Sequence, residues 1–395
     1  MTETIRTRVA IVGAGPAGLL LSALLHRSGI ESVVIDSRTR EEIEHTIRAG
    51  ILEQGTVEVL RELGGSRVDD VGHRHDGIEL RWDGHGHRID FADLVGRGVW
   101  LYPQHEVLID LVALRLAEGG DLRFGVTALG VDAPTSTRPT VRAQTSDGES
   151  LEITADIVVG ADGSRSVVRE AVTGSLTGGY FREYPFAWFG ILCEAPPSAP
   201  ELIYSTTDRG FALISQRSPT VQRMYLQCDP EQQPDEWSDA FIWDELQARV
   251  GGGLLEGSIF QRDVLRFRSF VAHELRRGRA FLIGDAAHTV PPTGAKGMNL
   301  AVADVLVLHR AIEDFARTGE ERGFDEYAAT ALQRIWKAQH FSWWMTQMLH
   351  AAPGATDFDQ RRRIAELQSI AQSRAGSTYL AEAYTGWPLV DRSER

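Results

Sequence analysis

Residues 9–18 read VAIVGAGPAG, a short apolar run that passes directly into a glycine-rich turn. An apolar run of this length, rich in β-branched residues, is typical of a buried parallel strand. In the turn, Gly13 allows the tight bend, Gly15 lets backbone N–H groups approach a pyrophosphate, and Gly18 allows close helix packing. The helix expected over residues 17–27 directs its positive end toward the same phosphates.

A second apolar run, residues 32–35, ends in Asp36. An acid at the tip of the second strand is placed to accept a hydrogen bond from a ribose hydroxyl. A glycine pattern alone is a weak signal, and an ordinary glycine-rich turn is the alternative. A strand, a helix, a second strand and a terminal acid follow one another here at suitable spacing, so the sequence predicts a dinucleotide-binding βαβ unit.

The composition narrows the classes of partner. The chain has 395 residues, more than one ordinary domain, and its net charge of −14 disfavours nucleic acids and anionic membranes as partners. The apolar stretch at residues 18–25 is too short for a membrane span. Cys193 and Cys228 are too few and too far apart for a CxxC pair or a thiolate site, so we expect no metal and a reducing cytoplasm.

The pattern of apolar segments indicates more than one domain. Alternating segments at residues 202–204, 211–217 and 221–228 indicate an antiparallel sheet, whereas residues 280–284 return to a buried-strand pattern. The predicted fold class is α/β: a discontinuous Rossmann-like dinucleotide-binding domain, an inserted antiparallel-sheet domain that binds substrate, and a C-terminal helical segment. The predicted ranges are 1–75, 98–176 and 272–305 for the first domain, 76–97 and 177–271 for the second, and 306–395 for the helical segment.

Three separated motifs occur in a fixed order: GAGPAG at 13–18, VVGADGSRSVVR at 158–169 and GRAFLIGDAAHTVPPTGAKGMNLAVAD at 278–304. This order resembles the single-component FAD-dependent aromatic hydroxylases. In that family the first and third motifs hold one FAD, and the second serves both the flavin and the nicotinamide. The resemblance implies FAD as cofactor, with NADH and/or NADPH as co-substrate.

The residues of the third motif suit a flavin. Asp285 follows a strand beside a proline and glycine loop, where its carboxylate can accept a hydrogen bond from a ribityl hydroxyl. Residues 294–299 open a helix whose N–H groups and dipole stabilise negative charge on a reduced flavin. The resemblance implies further flavin contacts from a set of matched positions: Arg48, Gln104, Asp162, Arg223, Met298 and Asn299.

Six more segments lie outside the shared flavin motifs and carry a narrower resemblance, which covers essentially the whole chain. They are IRAGILEQG (47–55), YPFAWFG (184–190), ELIYS (201–205), GFALISQRS (210–218), RIWKA with FSWWMT (334–346) and AYTGWP (383–388). They resemble the members of the family that act on 4-hydroxybenzoate. The resemblance implies hydroxylation to 3,4-dihydroxybenzoate with O2 through a flavin C4a-hydroperoxide, in a homodimer. An aromatic-rich helical pattern at 324–350 fits either core packing or a subunit contact.

Two residues of the GFALISQRS segment suit a carboxylate. Ser215 and Arg217 are two positions apart, so both point from one face of a strand. If the following loop spans residues 218–222, Arg217 lies opposite Arg223 and Ser215 lies opposite Tyr225. A guanidinium, a hydroxyl and a phenol then converge, and the planar guanidinium can bind a carboxylate through two hydrogen bonds. A structural ion pair is the alternative for Arg217.

A phenolate is a better nucleophile than a phenol, so hydroxylation of a phenol needs a path for its proton. By resemblance, Tyr204 and Tyr384 relay the substrate's phenolic proton, and His75 lies at the solvent end of that relay. Pro292 matches the position whose carbonyl faces the substrate hydroxyl. Taken singly, each tyrosine is equally readable as a core residue, Pro292 as a rigid turn and His75 as part of a solvated loop.

The segment after Asp36 bears on the electron donor. Glu42 and Thr46 stand where NADPH-using relatives carry a tyrosine and an arginine. An acidic helix face repels a 2′-phosphate, so we expect NADH to be used at least as well as NADPH. Arg38 argues against this expectation, and the acids fit a solvated helix face as well. Arg169 and Arg268 match positions that hold the phosphates of the nicotinamide cofactor, although Ser164 and Arg165 depart from the family pattern there.

Three alternative functions remain open from the sequence. A flavin reductase or dehydrogenase would carry a redox CxxC or a second full glycine motif, and the sequence has neither. A sister hydroxylase acting on another phenolic acid would carry an altered carboxylate trio. A non-catalytic protein of flavoprotein ancestry would lack bound FAD and the tyrosine pair.

Overall fold

A computed structural model describes residues 2–45, 50–65 and 67–389 of the chain. Its strands in chain order are β1 (Glu3–Val12), β2 (Ser32–Asp36), β3 (Ile51–Glu53), β4 (His73–His75), β5 (Gly77–Trp82), β6 (His85–Asp90), β7 (Val99–Leu101), β8 (Asp121–Phe124), β9 (Val126–Asp132), β10 (Thr140–Thr145), β11 (Ser150–Gly160), β12 (Gly179–Glu194), β13 (Leu202–Thr207), β14 (Gly210–Ser218), β15 (Val221–Cys228), β16 (Ser258–Ala272), β17 (Arg276–Arg277), β18 (Ala280–Leu282) and β19 (His288–Thr289). The helices are α1 (Pro16–Arg27), α2 (Arg40–Glu44), α3 (Gln54–Glu62), α4 (Arg67–Asp70), α5 (Phe91–Val95), α6 (Gln104–Ala117), α7 (Val167–Thr173), α8 (Asp239–Val250), α9 (Gly297–Thr318), α10 (Arg322–Leu349), α11 (Asp357–Ala371) and α12 (Arg374–Thr385).

The first sheet has the strand order β17-β18-β11-β1-β2-β8, with β10 and β9 added beside β11. Strand β1 pairs in parallel with both β2 and β11, and α1 connects β1 to β2. The residues from Val9 to Val12 are buried, because a central parallel strand is covered on both faces. This is the predicted Rossmann-like βαβ unit, and it places the glycine turn at the carboxyl end of β1.

The second sheet has the order β19-β16-β12-β15-β14-β13-β5-β6. The three segments predicted to be antiparallel form β13, β14 and β15, which pair antiparallel with one another. Strand β13 pairs in parallel with β5, so the sheet is mixed and not purely antiparallel as predicted. One face of the sheet packs on residues of α10, α11 and α12, and the other face packs on α8.

The sheets and helices divide the chain differently from the predicted ranges at two places. Strand β19, within the predicted first domain, pairs with β16 of the second sheet. The predicted boundary at residue 305 falls inside α9, which is one continuous helix. In the part of the chain that the structure describes, no helix is both long and apolar enough to cross a lipid bilayer.

Candidate active site

The glycine turn between β1 and α1 forms a cradle. Gly13 has φ +109°, a conformation that side chains disfavour, and a Cβ there would overlap the backbone of Ala161 in the second motif. A Cβ on Gly18 would overlap the carbonyl of Gly13. At Gly15 the nearest protein atom would be 4.0 Å away, so the chain leaves open space there. That space lies at the N-terminus of α1, where no side chain caps the helix and N–H groups are available to a phosphate.

The geometry of these glycines gives a prediction with two separable outcomes. Gly18→Ala should lower the free energy of unfolding of the ligand-free protein by about 1–3 kcal/mol, since its Cβ has no room. Gly15→Ala should leave that free energy nearly unchanged but raise the Kd for FAD at least about tenfold, because its Cβ enters the open space. Urea unfolding and FAD titration followed by fluorescence measure the two effects. Wild-type FAD affinity in Gly15→Ala would contradict this placement of the cofactor.

Asp36 lies at the tip of β2 as predicted and is buried. Its carboxylate accepts hydrogen bonds from the backbone N–H of Ala14 at 2.8 Å and from the side chain of Arg38 at 2.9 and 3.0 Å. The ion pair with Asp36 raises the pKa of Arg38, against the opposing effect of burial. Arg38 is therefore engaged with the acid beside the glycine turn.

The loop of the third motif is braced by two residues that the sequence reading missed. Asp285 lies in a short 3-10 turn, Gly284–Ala286. The carboxylate of Asp304 accepts from the backbone N–H of Gly284 at 3.0 Å and lies 2.6 Å from Nε2 of His288. Asp304 and His288 are each only 1% exposed. An acid within the otherwise apolar stretch LAVAD was the signal that could have identified Asp304.

Asn299, a predicted flavin contact, has its side chain bound within the protein. Its amide oxygen accepts from Glu53 N at 2.9 Å and from Thr56 Oγ1 at 2.8 Å, and its amide nitrogen donates to the carbonyls of Ile51 and Ala295. The side chain thus ties the start of α9 to β3 and α3. Its neighbour Met298 lies half-buried in the first turn of α9.

The second motif contributes a buried acid. Asp162 accepts from the N–H of Val167 at 2.8 Å through Oδ2, and its Oδ1 is buried with no hydrogen-bond partner among the described residues. Burial raises the pKa of this carboxyl group. Asp162 follows Ala161, the residue against which Gly13 packs, so an unsatisfied acceptor lies beside the cradle. These features of the chain fit a dinucleotide with hydroxyl donors.

Arg169, predicted to hold a phosphate of the nicotinamide cofactor, is used otherwise in this structure. Its guanidinium donates to three backbone carbonyls, those of Leu176, Ala286 and Ser164, and is buried against the Phe270 ring. Burial lowers its pKa. The side chain joins the second and third motifs and differs in this from the prediction.

The other predicted contacts of the nicotinamide cofactor are placed as follows. Arg268 is exposed and donates to Ser164 Oγ at 2.7 Å. Glu42 is exposed and completes a capping box at the start of α2, accepting from the N–H of Thr39 at 2.7 Å. Thr46 and the predicted flavin contact Arg48 lie outside the described residues. Gln104 is the first residue of α6 and is half-buried.

The two tyrosines predicted to relay a proton are in direct contact. The hydroxyl oxygens of Tyr204 and Tyr384 are 2.7 Å apart, and both side chains are 1% exposed. Burial raises the pKa of both phenols, so both stay neutral at physiological pH. The Tyr204 hydroxyl also lies 3.4 Å from the carbonyl of Thr293.

Pro292, next to Thr293, has a carbonyl that closes a 3-10 turn by accepting from Ala295 N at 2.9 Å. One lone pair of the Pro292 carbonyl is thus used within the turn, and a second remains for a ligand.

The strand pairing places a tyrosine on either side of one leucine. Tyr204 lies opposite Leu213, and Leu213 lies opposite Tyr225, so the three residues form one row across β13, β14 and β15. All three belong to the sheet face that packs on α10 and α12. Two strand spacings separate the ends of the row by about 9.5 Å.

The register of the β14–β15 hairpin differs from the predicted one. Ser215 lies opposite Arg223, and not opposite Tyr225. The register shifts between Gln216 and Ser218, so that Arg217 occupies a β-bulge before a shorter turn than the one predicted. A bulge redirects a side chain.

The bulge leaves Arg217 close to its predicted partners. Burial lowers the pKa of Arg217, Tyr225 acts in the opposite direction, and the nearby Arg223 cation lowers it further. Ser215 stands on the same sheet face as Tyr225, and its hydroxyl lies 3.2 Å from the carbonyl of Gln216. The carboxylate trio is therefore grouped at one end of the row.

Arg223, predicted beside the flavin ring, forms an ion pair with Asp263 at 2.6 Å and lies over the Tyr225 ring at 5.0 Å. Although burial opposes it, Tyr225 and Asp263 raise the pKa of Arg223. Its Nε is buried with no partner among the described residues. Sequence reasoning missed Asp263.

His75 is not at the solvent-exposed position that the sequence reading gave it. It lies in β4, is 2% exposed, and neither ring nitrogen has a hydrogen-bond partner among the described residues. Burial lowers its pKa to about 4. No hydrogen bond connects it to Tyr204 or Tyr384 in the described part of the chain.

A buried ion pair that the sequence reading missed adjoins Tyr384. Lys296 Nζ lies 2.5 Å from Oε1 of Glu53 and donates to the carbonyl of Tyr384 at 2.9 Å. Burial lowers the pKa of Lys296, while Glu53 raises it. Both residues lie in segments quoted above, and a lysine within a glycine-rich loop was the available signal.

A buried histidine supports the Tyr225 end of the row. His350 Nε2 accepts from Trp188 Nε1 at 2.7 Å, and its Nδ1 therefore carries the proton that it donates to the Thr346 carbonyl. Trp188 packs on Tyr225, with ring centroids 4.8 Å apart. Burial lowers the pKa of His350 to about 3.

This low pKa predicts a specific acid sensitivity. Below about pH 6.5 the unfolded chain protonates His350 but the folded chain does not, so the free energy of unfolding falls as pH is lowered toward 3. Between pH 7 and pH 5 the His350 contribution is about 2 kcal/mol. His350→Gln retains one donor and one acceptor and should remove this part of the loss. Urea unfolding at both pH values, with exposed His340→Gln as control, measures it; an unchanged pH dependence in His350→Gln would argue against it.

Comparisons with known proteins agree with this geometry. The profile of FAD-binding domains matches residues 6–342. The chain is 40% identical over 398 aligned positions to p-hydroxybenzoate hydroxylase of Acinetobacter baylyi, covering 99% of this chain and 98% of that protein. It is 28% identical to 3-amino-4-hydroxybenzoate 2-monooxygenase of Streptomyces cremeus, over 90% of this chain and 91% of that one.

The fold also matches solved structures. The structure of p-nitrophenol 4-monooxygenase from Pseudomonas putida DLL-E4 superposes with a TM-score of 0.80 at 21% identity, over 98% of this chain and 99% of that chain. At this identity the likeness concerns the fold, and it confirms the predicted fold class. The family profile and the full-length relative confirm FAD as the cofactor. The chain belongs to the p-hydroxybenzoate hydroxylase family of FAD-dependent aromatic monooxygenases.

Proposed function

We propose that the chain hydroxylates 4-hydroxybenzoate beside its hydroxyl group, giving 3,4-dihydroxybenzoate, with O2 and either NADH or NADPH. The observation that carries the proposal is the buried pair of hydroxyls, Tyr204 and Tyr384, 2.7 Å apart at the Tyr204 end of the row. The carboxylate trio lies at the other end. A benzene ring with a carboxylate and, in the para position, a phenolic hydroxyl would match the carboxylate trio at one end and the tyrosine pair at the other.

The acid end of the substrate would be bound by Arg217, with the hydroxyls of Ser215 and Tyr225 adding hydrogen bonds. Arg217 is half-buried, and partial removal from water strengthens a charge-assisted hydrogen bond. The ring would lie over Leu213, whose apolar side chain excludes water from below. These contacts fix the orientation of the substrate along the row.

At the phenol end, the substrate hydroxyl would donate its proton to Tyr204 Oη while Tyr204 donates its own to Tyr384 Oη, and Tyr384 would release its proton to a solvent water. Each phenol gives one proton and takes another, so neither has to ionise, which agrees with their raised pKa values. The substrate then reacts as the more nucleophilic phenolate. Bound FAD supplies the redox chemistry, taking reducing equivalents from NAD(P)H and activating O2.

The test is consumption of O2 and NADH by the FAD-loaded protein with a panel of benzoates, with product identification. We expect 4-hydroxybenzoate to accelerate both and to yield the catechol. Benzoate, which lacks the phenol, should give no hydroxylated product. If another phenolic acid is hydroxylated in preference and 4-hydroxybenzoate is not, the chain is a sister hydroxylase and this assignment is wrong.

The donor preference is a separate prediction. We expect kcat/KM for NADH to equal or exceed that for NADPH, since Glu42 presents negative charge near the turn and Arg38 is paired with Asp36. Glu42→Gln keeps a side chain that can complete the capping box and removes the charge, so it should shift the ratio toward NADPH. A clear NADPH preference in the wild type would refute this.

A cytoplasmic homodimer, implied by the resemblance, stays a prediction. An exposed pair of aromatic rings, Tyr180 and Trp336, lies with centroids 5.4 Å apart and supports a contact surface there. Sedimentation of the FAD-loaded protein measures the mass directly.

A further inference from the structure

Two parts of the sequence segments singled out above, RIWKA at 334–338 and residues 385–388 of AYTGWP, have no role in the site described so far. The structure joins them. Arg334 in α10 donates through Nη1 to the carbonyl of Pro388 and through Nη2 to the carbonyl of Trp387, both at 2.8 Å. The segment that follows α12 is thus held by the guanidinium of another helix.

Two more cations bind the same stretch of backbone. Arg97 donates to the carbonyl of Gly386 at 2.6 Å, and Lys296 donates to the carbonyl of Tyr384 at 2.9 Å. We call Arg97, Lys296 and Arg334 the carbonyl clamp. Its members come from three separate places: the loop after α5, the residue before α9, and α10.

The clamp meets the C-terminal end of α12, where helix carbonyls lack intrahelical donors and carry partial negative charge. Gly386 ends the helix with φ +92°, and a Cβ there would overlap the carboxylate of Glu53. The chain therefore turns sharply beside the Lys296–Glu53 pair, and the backbone carbonyls that follow are bound by Arg97 and Arg334. Cations at this end complement the helix dipole as well as the carbonyls.

What the clamp holds is the last turn of α12, which carries Tyr384. An O–H···O hydrogen bond is made between about 2.5 and 3.0 Å, so a displacement of about 0.5 Å breaks the 2.7 Å contact with Tyr204. The Tyr384 ring packs on Phe91 at 5.2 Å and meets the rings of Tyr204 and Phe341 edge-on, and none of these ring contacts fixes the backbone of α12. The backbone bonds of the clamp oppose movement along the helix axis.

We propose that Arg334 and Arg97 are positioning residues for the proton relay: they hold the end of α12 so that the Tyr384 hydroxyl stays within hydrogen-bond distance of Tyr204. This inference rests on the proposed function, in which the tyrosine pair moves the substrate's phenolic proton. It also gives the RIWKA and AYTGWP segments a shared role, in which one binds the backbone of the other.

The test is a double-mutant cycle in the FAD-loaded protein. Arg334→Met keeps the apolar stem and removes both donors. We expect it to lower kcat at least about tenfold with KM for 4-hydroxybenzoate within about twofold of wild type, because Arg217 is untouched. In a Tyr384→Phe background the same substitution should change kcat less than about twofold, since the group it positions is already gone. Arg334→Lys, which keeps the charge and a donor, should restore part of the rate.

The matched control is Arg322→Met, on the same helix but exposed and paired with Glu326. It should leave kcat unchanged. If Arg334→Met does not fold by circular dichroism, Arg97→Met carries the same cycle through the Gly386 carbonyl. Unchanged kcat in the clamp variant, or equal fold losses in both backgrounds, overturns the inference. Wild-type kcat in Tyr384→Phe alone overturns the relay itself, and the inference falls with it.

Discussion

Replacing Arg217 by methionine is expected to raise KM for 4-hydroxybenzoate at least about 100-fold. The guanidinium is half-buried beside Tyr225, and Arg223, the other guanidinium at that end of the row, is already paired with Asp263. Loss of a buried charge-assisted pair costs about 3–5 kcal/mol, and 100-fold corresponds to about 2.7 kcal/mol. Steady-state kinetics at saturating NADH measure the change.

Two variants sharpen this result. Arg217→Lys keeps the charge but cannot bind a carboxylate through two parallel hydrogen bonds, so its KM should lie between those of wild type and Arg217→Met. Arg266→Met removes an exposed arginine of the same sheet, paired with Glu231, and should behave as wild type. A wild-type KM in Arg217→Met would remove Arg217 from the substrate site.

Tyr384→Phe is expected to lower kcat about 100-fold or more, with KM for 4-hydroxybenzoate nearly unchanged. The substitution keeps the ring that packs on Phe91 and deletes only the hydroxyl bonded to Tyr204. Positioned acid–base groups accelerate reactions by about 10²–10⁴-fold. Within this pair, the Tyr384 hydroxyl is the group that accepts the proton from Tyr204.

The design of this experiment uses the coupling between the two tyrosines. Because they act as a unit, the Tyr204→Phe, Tyr384→Phe double variant should be little slower than either single variant. Tyr379→Phe, on the same helix but exposed, is the matched control. Independent, multiplicative losses from the two tyrosines would exclude a shared relay.

The parts of the fold that follow local rules could be predicted from the sequence. The prediction of the βαβ unit was correct because each glycine is required for a separate steric reason. Gly13 has a positive φ, and Gly18 allows α1 to approach the Gly13 carbonyl. Asp36 was placed correctly because a strand's end fixes the position of its last residue. The tyrosine pair was found only through resemblance, since 180 residues separate its members in the chain.

The parts that failed depend on tertiary context. A bulge at Arg217 and a shorter turn each shift the β14–β15 register by one residue, and no residue type in this segment predicts either of them. Arg169 was matched by resemblance to a position that holds a nicotinamide phosphate, whereas its guanidinium here donates to three backbone carbonyls. His75 was placed at the solvent end of the relay by resemblance, whereas β4 buries it beside β7. The burial of a polar side chain by segments that are distant in the sequence cannot be predicted from the residues adjacent to it in the chain.

The most direct measurement is a crystal structure of the FAD-loaded protein with 4-hydroxybenzoate bound. We predict the substrate carboxylate within about 3.2 Å of the Arg217 guanidinium and the phenol oxygen within hydrogen-bond distance of Tyr204 Oη. A ligand bound in the reverse orientation, or an Arg217 side chain turned away from it, would contradict the account.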